Sequence, residues 1–194
     1  MGVKTALLGS VLLISFAVGC SKNDEILVSQ RADGLSYDKN SETPFTGSWT
    51  AEWKNGGKRF ERKYNNGRQQ GASTVWYENG QKKEVRNYKD GKHEGALTCW
   101  YENGQKQRES DHVNGRIVGV MTEWYENGQK RREGTLEDGF TNWYEEGQIC
   151  SITPHKDGKP HGDWIMYFRD GKKWWERTYQ DGKLIKEIDY TKKK

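Results

Sequence analysis

Four groups of residues in this chain could do chemistry. His93, His112, His155 and His161 could ligate a metal or move protons. Glu78, Glu102, Glu126 and Glu145 could supply acid–base pairs, and Cys20, Cys99 and Cys150 carry thiols. Trp76, Trp100, Trp124 and Trp143 could hold a ligand by stacking. Spacing sorts these possibilities. The histidines match no zinc pattern, three of them sit in or beside turn segments, and they read as solvated turn residues with no metal. The glutamates recur in identical surroundings beside a turn, whereas acid–base catalysis needs one pair in distinct environments. They read as solvated turn flanks. No Ser/His/Asp or Cys/His grouping and no phosphate loop is present. The expectation is a protein that is not an enzyme and uses no cofactor. What remains is the tryptophan column, the candidate binding face.

The elements that position this column come from a repeat. Trp76-Tyr77-Glu78-Asn79-Gly80-Gln81-Lys82 returns at Trp100 and at Trp124, 24 residues apart each time. A period of this size marks an array of one supersecondary unit. Two glycine series share its spacing: Gly56, Gly80, Gly104, Gly128, Gly147 and Gly171, and Gly67, Gly91, Gly115, Gly139, Gly158 and Gly182. All but Gly147 follow Asn or Asp. Asn-Gly between runs of β-forming residues is a hairpin signal, and a two-residue type I′ loop is expected at each. The fold class is all-β: an elongated antiparallel meander of stacked β-hairpins forming a single twisted open sheet.

Alternation along the strands fixes two faces. Thr74, Thr98, Thr122 and Thr141 lie with Trp76, Trp100, Trp124 and Trp143, while Tyr77, Tyr101, Tyr125, Tyr144 and Phe168 line the other side. Two-residue loops would pair Tyr77 with Lys82 and Trp76 with Lys83 across the hairpin. The tryptophans are expected to pack under lysine stems as much as to bind. A third glycine series, Gly47, Gly71, Gly95, Gly119 and Gly162, opens each aromatic strand and skips the unit at Gly139–Gly147, where five residues are missing. The strand from Phe140 to Glu145 should be short, and the array should bend or narrow there.

The beginning of the chain reads as an export signal. Met1 and Lys4 precede an apolar run that ends at Ala17-Val18-Gly19-Cys20, a secretory pattern rather than a spanning helix. The ending resembles a bacterial lipobox, which implies acylation of Cys20. The organisation is then a lipoprotein signal over 1–19, a lipidated tether over 20–24, a repeat array over 25–190 beginning with a strand at Glu25–Ser29, and a basic tail over 191–194. Removing residues 1–19 takes away Lys4 from 32 basic residues and leaves 28 acidic ones untouched. That net charge of 31 − 28 = +3 is too balanced for a nucleic-acid binder. Hydrophobic residues make up only 32% and charged residues 31%, so 9 Trp and 10 Tyr carry most of the burial potential.

The unit from Trp76 to Gly95 resembles the bacterial MORN-variant repeat. The run Arg31-Ala32-Asp33-Gly34-Leu35-Ser36-Tyr37, with Pro44-Phe45-Thr46-Gly47, resembles the amino-terminal unit of YwqK-type antitoxin-like repeat proteins. The resemblance covers roughly residues 25–190. It implies stacked antiparallel hairpins and a scaffold for protein or membrane contacts, and the antitoxin name implies a partner toxin. The favoured function is a lipid-anchored interaction scaffold of the cell envelope, in the outer membrane, with an unknown protein or envelope component as partner. Alternatives are a glycan- or wall-binding aromatic module and neutralisation of a toxin. Five turns separate Cys99 from Cys150. At about 4.8 Å per strand this is roughly 24 Å, so both should be free thiols.

Overall fold

A computed structural model describes residues 28–39 and 41–192. The leader at 1–19, Cys20, the tether to residue 24, and the start of the first expected strand at 25–27 lie outside the described residues, as do Lys193 and Lys194. The strands in chain order are β1 (Val28–Gln30), β2 (Ser36–Asp38), β3 (Gly47–Glu52), β4 (Lys58–Asn65), β5 (Arg68–Gln69), β6 (Gly71–Trp76), β7 (Lys82–Lys89), β8 (Lys92–Trp100) and β9 (Lys106–Val113). They continue as β10 (Arg116–Trp124), β11 (Lys130–Thr135), β12 (Gly139–Trp143), β13 (Ile149–Lys156), β14 (Lys159–Pro160), β15 (Gly162–Tyr167), β16 (Lys173–Gln180) and β17 (Lys183–Asp189). β1 and β2 form a separate hairpin; everything from β3 to β17 is one open, antiparallel 15-stranded meander. No described residue is helical.

The two glycine series make different turns. At the second series both central residues have positive φ in five of the six turns: Asn66 and Gly67, Asp90 and Gly91, Asn114 and Gly115, Asp157 and Gly158, Asp181 and Gly182; at Gly139 Asp138 does not, and the type I′ expectation fails there. The five are two-residue loops, with Lys89 opposite Lys92, and they fit the type I′ expectation. The first series does not. Asn79 has no positive φ; only Gly80 does, at 85°. The Gly80 N–H donates to the Tyr77 carbonyl at 3.0 Å and the Tyr77 N–H to the Gln81 carbonyl at 2.8 Å. This is a three-residue loop, a type I turn closed by a left-handed glycine. The Asn79 side chain holds it, since Oδ1 accepts the Gln81 N–H at 2.9 Å.

The longer loop shifts the expected pairing by one residue. Trp76 faces Lys82, Trp100 faces Lys106 and Trp124 faces Lys130, each beside a register shift. Lys83 instead bulges toward Tyr77, its Nζ 5.3 Å from the ring centre. Because the bulge absorbs the extra residue, Thr74 and Trp76 remain on one side as alternation requires. The third glycine series also marks bulges. Gly71, Gly95, Gly119 and Gly162 all have left-handed φ, and the ladder shifts register between Arg86 and Tyr88 and between Val118 and Thr122.

Contacts between successive hairpin ends knit the units together. On the long-loop side the Tyr77 hydroxyl donates to the Trp100 carbonyl at 2.9 Å, and Tyr101 repeats this to Trp124 at 2.8 Å. Asn79 Nδ2 donates to the Glu102 carbonyl at 2.9 Å, and Asn103 to that of Glu126 at 3.0 Å. On the tight-turn side the Gly91 N–H donates to the Gln69 carbonyl at 2.9 Å and that of Gly115 to His93 at 2.8 Å. Gln70 and Glu94 side chains accept the Asp90 and Asn114 N–H groups, both at 2.8 Å.

The shortened unit narrows the sheet on the tight-turn side only. β11 and β12 stop at Thr135 and Gly139, joined through residues 136–138, with the Thr135 Oγ1 accepting the Asp138 N–H at 2.8 Å. The next turn closes over this loop, its His155 N–H donating to the Asp138 carbonyl at 2.7 Å. Register then continues, with Thr141 opposite Ile152 and Trp143 opposite Ile149. Cys99 on β8 and Cys150 on β13 are free and five pairings apart.

The interior is one layer thick. Leu97, Met121 and Phe140 are buried at 5, 6 and 9% exposure, yet no large side chain among the described residues falls below 2%. Glycine substitutions separate turn strain from packing. Gly115 has φ +83° with nothing within 4 Å of an added Cβ, so Gly115→Ala should cost about 1–2 kcal/mol from backbone strain. At Gly139 the added Cβ would overlap the Thr153 carbonyl and the His155 backbone nitrogen. Gly139→Ala should therefore add roughly another 1–3 kcal/mol. Urea unfolding of both variants checks this order; equal midpoints would contradict the close packing at the narrow unit.

Candidate interaction faces

The threonine face carries the tryptophan column. Thr74, Thr98, Thr122 and Thr141 alternate with Val85, Glu109 and Glu133 across the strands. Trp76, Trp100, Trp124 and Trp143 flank them near the long loops, all half-buried. Lysines tie most of these rings down. Lys58, Lys106 and Lys130 lie 5.6, 5.8 and 5.9 Å from the centres of Trp76, Trp124 and Trp143. The same ammonium groups reach Glu61 at 3.1 Å and Glu109 and Glu133 at 2.6 Å. Trp100 is the exception. Three residues beyond Lys82 stands Val85 rather than glutamate, and a shallow hollow lies between Gln81, Lys82, Trp100 and Gly104. Partly exposed pairs of this kind are individually weak, but here they also cover aromatic surface.

The opposite face is built on arginine. Register places Arg62, Ser73, Arg86, Leu97 and Ser110 in one row across β4 to β9. Glu84, Cys99, Arg108, Glu123 and Arg132 form the row beside it. Arg62 stacks 4.6 Å from the Phe60 centre and Arg132 3.6 Å from that of Phe140. Arg86 holds Glu84 at 2.6 Å, whereas Arg108 and Arg132 make no ion pair among the described residues. Buried polar atoms without a partner in the chain cluster here: Nε of Arg86, Arg108, Arg132 and Arg177, Ser110 Oγ, His93 Nε2 and His112 Nδ1. These atoms are closed to solvent, but Arg108 and Arg132, half-buried on an uncovered sheet face and without an ion pair among the described residues, carry guanidinium forks of the kind that bind carboxylates.

Two of the histidines, His93 and His112, correct the expectation of solvated turns. His112 is 7% exposed, and its ring stacks on His93 with centroids 3.9 Å apart. Tyr88 packs on the other side of His93 at 5.5 Å. The signal for this lay in register, since the third-series bulge brings 93 beside 112, and spacing rules for zinc are blind to it. Among the described residues no group of three or more metal-ligating side chains converges. Glu78, Glu102, Glu126 and Glu145 are exposed at the turns. Cys99 is half-buried; burial, then the Glu84 charge, pushes its thiol pKa up, away from nucleophilic use.

Three stretches, residues 69–90, 94–114 and 117–138, match the family model described as MORN repeat variant. The three stretches follow one another through the centre of the array. Together these stretches make about a third of the chain, and no curated protein matches it. Each matched stretch spans one long loop with the strands on either side of it. The hairpins of β3–β4 and β12–β17 outside them keep the same turn geometry and the same face assignment.

Burial lowers the pKa of both His93 and His112; the His112 ring and then Arg86 lower that of His93 further, and Arg108 and then Arg86 that of His112. Glu84 and Asp111 act weakly in the other direction. The folded state therefore favours neutral rings, and the unfolded chain takes up protons first as pH falls below the ordinary value of 6.5. The stability this pair contributes is present above that value and is lost as pH falls toward the folded pKa. Unfolding midpoints measured from about pH 7.5 to about pH 5 should decline, and His112→Gln should flatten the decline. A parent protein with no loss over this range would contradict the neutral stacked pair.

Proposed function

We propose that this protein is a non-catalytic interaction scaffold of the bacterial cell envelope, anchored by lipid on Cys20. One observation carries the reading: a long sheet with two uncovered faces, one of which holds half-buried aromatic, aliphatic and arginine side chains in continuous rows. A fold that needed no partner would cover such rows with a second layer. MORN-type repeats serve generally as contact scaffolds, and the match in the central array agrees with that use. The arginine face, rather than the tryptophan column, is the better docking surface. Arg108 and Arg132 on it have no ion pair among the described residues, whereas three of the four tryptophans are already held by lysines.

Two measurements check the proposal. Metabolic labelling with an alkyne fatty acid should mark the parent chain, and Cys20→Ala should lose the label and leave the membrane fraction. Equal labelling of Cys20→Ala would end the anchor reading. A photo-crosslinking residue at Gln107, beside Arg108, should capture an envelope protein in intact cells, while one at Glu109 on the threonine face should not. Capture at Glu109 alone would reverse the choice of face.

A further inference from the structure

We propose that the cleft between the N-terminal hairpin and the first repeat unit binds an acidic saccharide. The inference goes beyond the scaffold reading and does not depend on it. The cleft encloses about 800 Å³, within the range of small-ligand sites. Among the described residues it is the one place along the array where a separate element stands over the arginine face. The shortened unit at residues 136–139 alters the sheet edge but places no element over a face, so this covering hairpin needs its own explanation.

The wall of the cleft is fixed. The Ser36 N–H donates to the Gly67 carbonyl at 2.8 Å, and the Gly67 N–H to that of Phe45 at 2.8 Å. An added Cβ on Gly67 would lie 2.9 Å from Leu35 Cβ and 3.0 Å from the Ser36 carbonyl, so the hairpin sits directly on the turn. Within the hairpin the Tyr37 hydroxyl donates to Asp33 at 2.6 Å, and Arg31 stacks 3.9 Å from the Tyr37 ring centre. These contacts form before any ligand arrives, which is what preorganised recognition requires.

The chemistry of the lining selects the ligand. Trp49 and Tyr64, with centroids 6.4 Å apart, supply an aromatic floor. Arg62, Arg68 and Lys92 enter from three strands and make no ion pair among the described residues. Of the two carboxylates in the lining, Asp33 is engaged by Tyr37 and the Leu35 N–H, which leaves Asp90. The three cations thus face one uncommitted acid. Gln30 and Gln69 add amide donors and acceptors. A pyranose ring suits the aromatic floor, its carboxylate suits the Arg62 fork, and its hydroxyls suit the amides and Asp90. A nucleotide fits less well, because Asp90 opposes the denser charge of a phosphate more than that of a single carboxylate.

Isothermal titration of the full chain in detergent tests the site, with tri-galacturonate as the carboxylated probe, maltotriose as the neutral one and AMP as the phosphate one. Tri-galacturonate should bind and maltotriose should not. Arg62→Gln should weaken binding at least about tenfold, as expected for loss of a charge-assisted pair. Lys92→Gln, an exposed position, should weaken it at an unchanged melting temperature, whereas Arg131→Gln, far along the array, should leave it unaltered. Absence of heat with tri-galacturonate, tighter binding of AMP, or equal losses in Lys92→Gln and Arg131→Gln would each overturn the proposal. None of these results bears on crosslinking at Gln107, so the scaffold reading stands or falls separately.

Discussion

Backbone and side-chain hydrogen bonds between successive hairpin ends are the constraint on which the structure depends. A sheet one layer thick cannot draw its stability from a sealed core, and here no large described side chain is fully buried. Strand pairing alone would leave long hairpins free to twist against one another. The ends prevent this. Each tyrosine hydroxyl and each turn asparagine donates to a carbonyl of the following long loop. Each tight turn is bonded from the strand end that precedes it. At about 1 kcal/mol for each net hydrogen bond, repetition along the array makes both edges of the sheet continuous rails.

The same constraint explains why the repeat departs from its own pattern where it does. In the last complete long loop Phe168 stands where the four loops before it have Tyr77, Tyr101, Tyr125 and Tyr144, and Asp170 where Asn79, Asn103 and Asn127 stand in theirs. Asp170 still accepts the Lys172 N–H at 3.0 Å, the half of the asparagine role that acts within its own turn. Among the described residues no later long loop offers a carbonyl to the missing donor half. Glu146, the other departure, cannot donate to a carbonyl as Asn127 does at 3.0 Å. It pairs instead with Arg169 of the next loop, so an ion pair replaces the amide contact. Phe168 stacks with Trp174 at 5.7 Å, and that aromatic pair closes the rail.

Much of this was legible in the sequence, and what was not has a physical cause. The 24-residue spacing of Trp76, Trp100 and Trp124, with two glycine series, is enough for an antiparallel meander. Alternation correctly puts Thr74 with Trp76 and Tyr77 on the other side. Both glycine series look alike as Asn-Gly or Asp-Gly pairs, however, and composition does not tell a two-residue loop from a three-residue one. The difference lies in where the Asn79 side chain finds a donor, and with it goes the pairing of Trp76 with Lys82 rather than Lys83. The arginine rows and the stacked histidines escaped for a related reason. Arg86, Arg108, His93 and His112 are scattered in sequence, and only cross-strand register with its bulges brings them together.

The rails are tested most directly by equilibrium urea unfolding of paired substitutions at the two kinds of long loop. Tyr101→Phe combined with Asn103→Asp removes both donors to the following unit while keeping the Oδ1 acceptor for the turn. That double variant should lose about 1–3 kcal/mol. The reverse change at the last long loop, Phe168→Tyr with Asp170→Asn, adds donors that have no later long loop among the described residues to reach and should leave the midpoint nearly unchanged. Equal effects at the two loops, or no loss at Tyr101 and Asn103, would contradict the claim that contacts between hairpin ends hold the sheet.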